Sequence, residues 1–139
     1  LARGVCIRNG MLLVCHTCGA NNTYLPGGHI EHGESAPVSL AREIREELGL
    51  RATVQGFLGV VEHSFRQRGR RVHEVNLLFA MTVPGLRAGA RPPAREKHLD
   101  FKWLPVDDLR ASSLEPKPLR GMLADRGVLR RTPAWGSTL

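Results

Sequence analysis

Glu43, Glu46 and Glu47 crowd into five residues of a stretch, 35–48, whose apolar residues Val38, Ala41, Ile44 and Leu48 recur at spacings of three and four. That period predicts an α-helix. Ser35 is its expected N-cap, Pro37 is tolerated in its first turn, and Gly49 is placed to stop it. At 100° per residue the three glutamates fall within about 100° of one another, on the side facing away from Ala41, Ile44 and Leu48. Like charges at these spacings repel by about a few tenths of a kcal/mol per pair, and Arg42 and Arg45 soften the repulsion only in part. One reading is the charged outer face of an amphipathic helix. The other is a cation site: a hard divalent ion removes the conflict, since magnesium takes a few carboxylates, keeps several waters and bridges substrate phosphates.

The residues ahead of the helix suit the second reading. Gly27, Gly28 and Gly33 let backbone approach a ligand without interference from a Cβ. Glu34 is placed to pair with Arg42 and lock the loop onto the helix. The pattern is Gly28, five residues, Glu34, seven residues, Arg42, Glu43, aliphatic Ile44, one residue, Glu46, Glu47, one residue, Gly49 and aliphatic Leu50. It resembles the box of the Nudix hydrolases at every fixed position. Seven specified residues at average usages of about 6% would coincide at a given start with probability below roughly 10⁻⁸.

The resemblance implies an α/β fold, a Nudix-type α/β/α sandwich with a mixed central β-sheet, in which the box forms a loop, helix and loop that bind metal. It implies attack of water on phosphorus, with Mg2+ as cofactor and Mn2+ as the alternative ion. Carried onto this chain, it makes Glu46 and Glu47 the principal metal ligands and Glu43 a further ligand or the general base. The Gly27 carbonyl becomes an additional oxygen ligand. Arg42 then orients Glu43, Glu34 supports the loop, and Gly28, His29 and Glu74 fall to substrate binding. Family members differ in the base, and some recruit a carboxylate from outside the box; Glu74 and Glu96 are the candidates here.

Around this segment the chain reads as alternating short elements. Two apolar runs, 5–7 and 11–14, flank Asn9-Gly10, a pair that tolerates positive φ and signals a β-hairpin. A polar loop follows over 16–23. Strands are expected at 52–61 and 72–83, joined by a basic loop over 66–71, and at 101–104. A loop is read over 86–94 and a helix over 118–125 closed by Gly127. The stretch 130–139 shows no periodicity and is expected to be a flexible tail.

At 139 residues the chain is expected to form one domain, with hydrophobic residues at 42% to fill a core. Its +7 formal charge favours anionic partners, but the basic residues are dispersed and aromatics reach only 5%, too few for a base-stacking platform of the nucleic-acid-binding kind. Charge alone does not choose among phosphorylated metabolites, nucleic acid and acidic membrane; the resemblance makes a small-molecule nucleotide the expected partner, with neither nucleic acid nor membrane, and a homodimer is compatible with the sequence. Three cysteines, Cys6, Cys15 and Cys18, and no secretory segment point to a reducing cytoplasm. Cys15 and Cys18 lack a second ligand pair for zinc. His29, His32 and His63 are expected near the cleft, His73 at a strand end and Trp103 in the core.

Within the family, a proline about sixteen residues after the box marks ADP-ribose hydrolases; here the next proline after Pro37 is Pro84. A tyrosine that marks many dinucleoside polyphosphate hydrolases is also missing, since the only one is Tyr24. By elimination the resemblance points to a nucleoside triphosphate or related nucleotide, with ADP-ribose and dinucleoside polyphosphates as alternatives. A catalytically silent, nucleotide-binding regulatory domain and a nucleic-acid-binding module are the competing classes, the latter distinguished by affinity that falls steeply with salt.

Overall fold

Asn9 and Gly10 both take positive φ, 51° and 74°, and turn the chain back on itself between two antiparallel strands. The computed structural model describes residues 1–125 and 133–137. The hairpin expected from Asn-Gly is present, as β2 (Ile7–Arg8) and β3 (Met11–Thr17). Val5, expected in its first arm, instead closes a separate strand, β1 (Ala2–Val5), in another sheet. The strand β3 also continues through His16 and Thr17, which were read as loop, because Thr17 pairs with Leu99 of β6 (Leu99–Pro105).

The helix α1 spans Ala36–Leu48, with Ser35 at the N-cap position and Gly49 in the left-handed conformation at φ 71°, its N–H donating to the Arg45 carbonyl. Its buried face differs from the expected one. Val38 is 58% exposed, whereas Leu40, Ile44 and Leu48 are buried. Leu40 sets the rotation of the helix, and at 100° per residue Glu47 lies about 20° from it. One of the three acidic residues is thereby carried inward.

After α1 come β4 (Thr53–Gln67) and β5 (Arg70–Thr82), longer than expected. The basic segment 66–71 is not a loop: Arg66 pairs with Arg71 and Gln67 with Arg70, leaving Arg68 (φ 48°) and Gly69 (φ 78°) as a two-residue turn. The ladder continues to the tip because two residues of positive φ match the strand twist. A loop joins β5 to β6, as expected over 86–94. A 3-10 helix over Val106–Ala111, which no periodicity signalled, precedes α2 (Pro118–Ala124). Gly127, expected to close that helix, lies outside the described residues. Within the expected tail, Ala134–Ser137 form β7, paired parallel to β4 from Gly59 to Glu62. That pairing is an interaction between distant segments, invisible to local periodicity; the other residues of that stretch are not described beyond Pro133.

The strands divide into a four-stranded mixed sheet, β1-β5-β4-β7, and a three-stranded antiparallel sheet, β2-β3-β6. Two cores result from strand alternation. Leu13 and Cys15 of β3 and Phe79 and Met81 of β5 pack with Leu40, Ile44 and Leu48 of α1. Leu12, Val14 and Leu78 turn the other way, toward Leu109, Leu119 and Leu123 of the 3-10 helix and α2. Helices thus cover both faces, the α/β architecture with a mixed sheet read from the sequence. Each fully buried leucine contributes roughly 1.5–3 kcal/mol of transfer free energy. Among the described residues no helix is long and apolar enough to cross a membrane.

Candidate active site

The turn before α1 brings Gly27 and Gly28 against the start of β1 and the side chains of the helix. Gly27 has φ 120°, and a Cβ there would meet the backbone oxygen of Ala2. Its N–H donates to Glu47 Oε2 at 3.2 Å. Glu47 is only 6% exposed and has no ion pair among the described residues. Burial therefore pushes its carboxyl up to about 8, against the opposing pull of the Gly27 N–H and the Arg3 charge, while the charges of Glu43 and Glu96 push it further.

Gly28 lies on the other acidic group. The three atoms nearest a Cβ at this position would all belong to the Glu43 carboxylate. We expect Gly28→Ala to keep the fold, because the far end of a side chain can swing aside, and to lower turnover by between about ten- and a hundredfold, because it swings away from its working position. Thermal melting unchanged within about 3 °C alongside the kinetic loss is the expected pair of results; full activity would show that the position of Glu43 does not matter.

Arg42 organises the outer part of the site. Its Nε and Nη2 fork onto Glu34 at 2.8 and 3.0 Å, and its Nη1 donates to Glu43 Oε1 at 3.1 Å and to Glu46 Oε2 at 3.0 Å. Nη2 also reaches the His29 carbonyl, which accepts a second bond from buried Ser39. One guanidinium so ties the loop to the helix and serves three carboxylates. The Arg42 hydrogen bonds hold the Glu34 carboxyl below its ordinary range, and those carboxylates hold Arg42 firmly protonated.

Arg3, on β1, is a functional candidate that the sequence reading missed. Its Nη1 donates to the carbonyl oxygens of Leu25 and Gly27, its Nε to Asn76 Oδ1, and its guanidinium lies 6.0 Å from the centre of the Tyr24 ring. The available signal was an arginine inside the apolar stretch 1–7. Its partner, Asn76, is 73 residues away in sequence and is supplied by the parallel pairing of β1 with β5.

Arg3 also lines a cleft of about 820 Å³ on the α2 side of the sheet, together with His29, His63, Glu74 and Leu119. His29, His63 and Glu74, three of the residues singled out in the sequence, thus meet there. His32 is exposed and outside the cleft wall, His73 is on the exposed side of β5, and Trp103 is partly buried with its indole N–H on the Ala90 carbonyl. His98 joins the wall. Glu96 does not: it pairs with His98 at 3.3 Å and acts on Glu47 through space. Cys15 is buried and Cys18 exposed.

The chemistry of the donor set fits a hard divalent ion. Glu43, Glu46 and Glu47 offer oxygens only, and Glu47 is buried with no ion pair among the described residues. Their side chains do not converge: Glu43 and Glu46 are drawn to Arg42 and Glu47 to Gly27, and among the described residues no cluster of three acidic, cysteine or histidine groups is arranged to hold an ion. Glu46, with 51% of its side chain exposed, is the group freest to move.

The match to a family model described as NUDIX domain covers residues 1–126. The chain is 38% identical over 82 residues to an ADP-ribose pyrophosphatase of Methanocaldococcus jannaschii, covering 58% of this chain and 47% of that protein. It is 36% identical over 64 residues to an RNA pyrophosphohydrolase of Haemophilus influenzae, covering 46% of this chain and 33% of that protein. The chain spans about a third to a half of the length of the curated relatives it matches. Among solved structures it resembles a MutT NUDIX hydrolase from Burkholderia pseudomallei, with TM-score 0.69, 24% identity, and coverage of 86% of this chain and 92% of that one. At that identity the likeness shows the fold.

Proposed function

The chain belongs to the Nudix family, and from that premise we propose that it is a metal-dependent pyrophosphohydrolase. In this reading it cleaves a phosphoanhydride bond in a nucleoside diphosphate linked to another group, with a nucleoside triphosphate or related nucleotide as the favoured substrate. The observation that carries it is Glu47. A carboxylate buried with no ion pair among the described residues is costly to the fold, and a cation bound beside it offsets that cost.

Glu46, Glu47 and the Gly27 carbonyl would hold the ion, with Glu43 beside them. Magnesium held there, or manganese in its place, would supply positive charge against the pyrophosphate and make a nearby water easier to deprotonate. Arg42 keeps Glu43 Oε1 occupied at 3.1 Å, which leaves Oε2 to take the proton of a water attacking phosphorus. The water oxygen bonds to phosphorus as the bridging oxygen departs with the phosphorylated leaving group. Gly28, by lacking a Cβ, leaves room for the Glu43 carboxylate beside the substrate, and His29 and Glu74 meet the substrate in the cleft. The +7 charge favours approach of the anion.

A panel of nucleoside triphosphates, ADP-ribose, a dinucleoside polyphosphate and 5′-triphosphate RNA, each with magnesium and with a chelator, tests this reading. We expect turnover of one or more free nucleotides that chelation abolishes and that Glu46→Gln reduces by about ten- to a hundredfold. Nucleotide binding without turnover would favour the silent regulatory domain instead. Turnover indifferent to the chelator would remove the metal from the mechanism.

A further inference from the structure

The two arginines beside the glycine turn carry their charge differently. Arg42 is met by Glu34, Glu43 and Glu46. Arg3, partly buried on β1, has no carboxylate in ion-pair contact among the described residues: its Nη1 donates to the Leu25 and Gly27 carbonyls and its Nε to Asn76 Oδ1 at 3.2 Å, all of them neutral oxygens. Its Nη2 makes no hydrogen bond among the same residues. A guanidinium so placed keeps its full charge in a partly desolvated setting, a cost that an anion beside it offsets.

That charge reaches both sides of the site. On one side Arg3 lines the cleft, the sole Lys or Arg among the described residues to do so. On the other it holds the carbonyl of Gly27, whose N–H donates to Glu47 Oε2, and its charge acts on the buried Glu47 carboxylate. Gly27 therefore carries Arg3 on its oxygen and Glu47 on its nitrogen. Positive charge at this point opposes a second cation beside Glu47 by like-charge repulsion, and the hydrogen bond from Nη1 occupies one lone pair of the Gly27 oxygen. A phosphate group in the cleft acts in the opposite sense: it can accept from Nη2 and offset the charge while Nη1 stays where it is.

We propose that Arg3 is a positioning residue that couples the two halves of the site: held on the Gly27 carbonyl, its charge weakens cation uptake beside Glu47, and ligand phosphate accepted by its Nη2 lifts that penalty, so that cation and nucleotide bind cooperatively. This rests on the metal-dependent reading above and deepens it. Coupling of this kind is reciprocal, so the nucleotide gains from the cation by the same factor.

The experiment measures manganese binding, by electron paramagnetic resonance and calorimetry, to wild type, Arg3→Met, Arg3→Gln and Arg3→Lys, without nucleotide and with AMP or GMP, which carry phosphate but no anhydride bond to cleave. Without nucleotide, Arg3→Met and Arg3→Gln are expected to bind manganese about 5- to 20-fold more tightly than wild type, and Arg3→Lys, which keeps the charge, within about threefold of it. The mononucleotide should tighten manganese binding to wild type by about 5- to 20-fold more than to either neutral variant. Arg3→Gln keeps a donor for the Gly27 carbonyl, so it carries the test if Arg3→Met does not fold. Neutral variants that bind manganese no more tightly than wild type overturn the proposal, because they make Arg3 a support of the turn and nothing more; so does a mononucleotide effect equal in all four proteins. Either result in a protein that hydrolyses nucleotides under metal control sinks this proposal alone. Arg3-dependent coupling in a protein without turnover sinks the hydrolase reading and leaves the coupling standing.

Discussion

Glu47→Gln is expected to remove metal-dependent turnover by more than about 100-fold while making the ion-free protein more stable at alkaline pH. The kinetic half follows from losing a charged ligand outright, since even the outer partners of metal ligands are worth about 10- to 100-fold. The stability half follows from burial. In the folded chain the carboxyl is pushed up to about 8 from an ordinary value of 4.5, because Glu47 is almost wholly enclosed. A folded-state pKa above the unfolded one means that the native state binds the proton more tightly. The associated stability is complete below about pH 4.5 and is lost as pH rises through about 8.

The glutamine stays neutral and can still accept from the Gly27 N–H. Melting at pH 9 with a chelator should therefore favour the variant, by on the order of 2–4 kcal/mol or several degrees, and the difference should vanish near pH 4. Magnesium should raise the melting point of wild type and not of the variant. A variant less stable than wild type at pH 9 would mean that Glu47 is held by something other than its hydrogen bond to Gly27, and full turnover would take it out of the site.

Arg42→Ala is expected to lower kcat/KM by about a hundredfold, because three carboxylates lose their shared donor at once. Without Nη1, Glu43 and Glu46 repel each other across one turn of α1, and without the fork Glu34 no longer ties the loop to the helix. The loss should fall mainly on kcat, since Arg42 acts by placing Glu43. Arg42→Lys should recover only part of it, because an ammonium keeps the charge and cannot fork. The melting point should fall at neutral pH. Because Glu34 is held below its ordinary carboxylate range, the wild-type advantage is present above the unfolded carboxylate pKa and should shrink as pH falls through the folded one. An Arg42→Ala protein with unchanged kcat would show that Glu43 keeps its place unaided.

The local part of the fold was legible because it depends on neighbours in sequence. Asn9-Gly10 fixes a turn through positive φ, and Gly49 ends α1 for the same reason. The extent of β4 and β5 was not legible, because the basic residues of 66–71 look like a solvated loop until the register pairs Arg66 with Arg71. Nor was β7, whose four residues carry no pattern and become a strand only beside Gly59–Glu62.

The sequence by itself determined that Glu34, Arg42, Glu43, Glu46 and Glu47 occur at spacings a helix can bring to one side, behind glycines that admit close approach. These are constraints within one turn or two of backbone, and periodicity carries them. Only the tertiary structure decided that Leu40 rotates Glu47 into the interior, that Arg3 reaches Asn76 and the Gly27 carbonyl, and that Glu74 faces a cleft beside His63 and Phe65. Those outcomes depend on which apolar faces pack together and in which register distant strands pair, and both are set by burial summed over the whole chain rather than by any short segment.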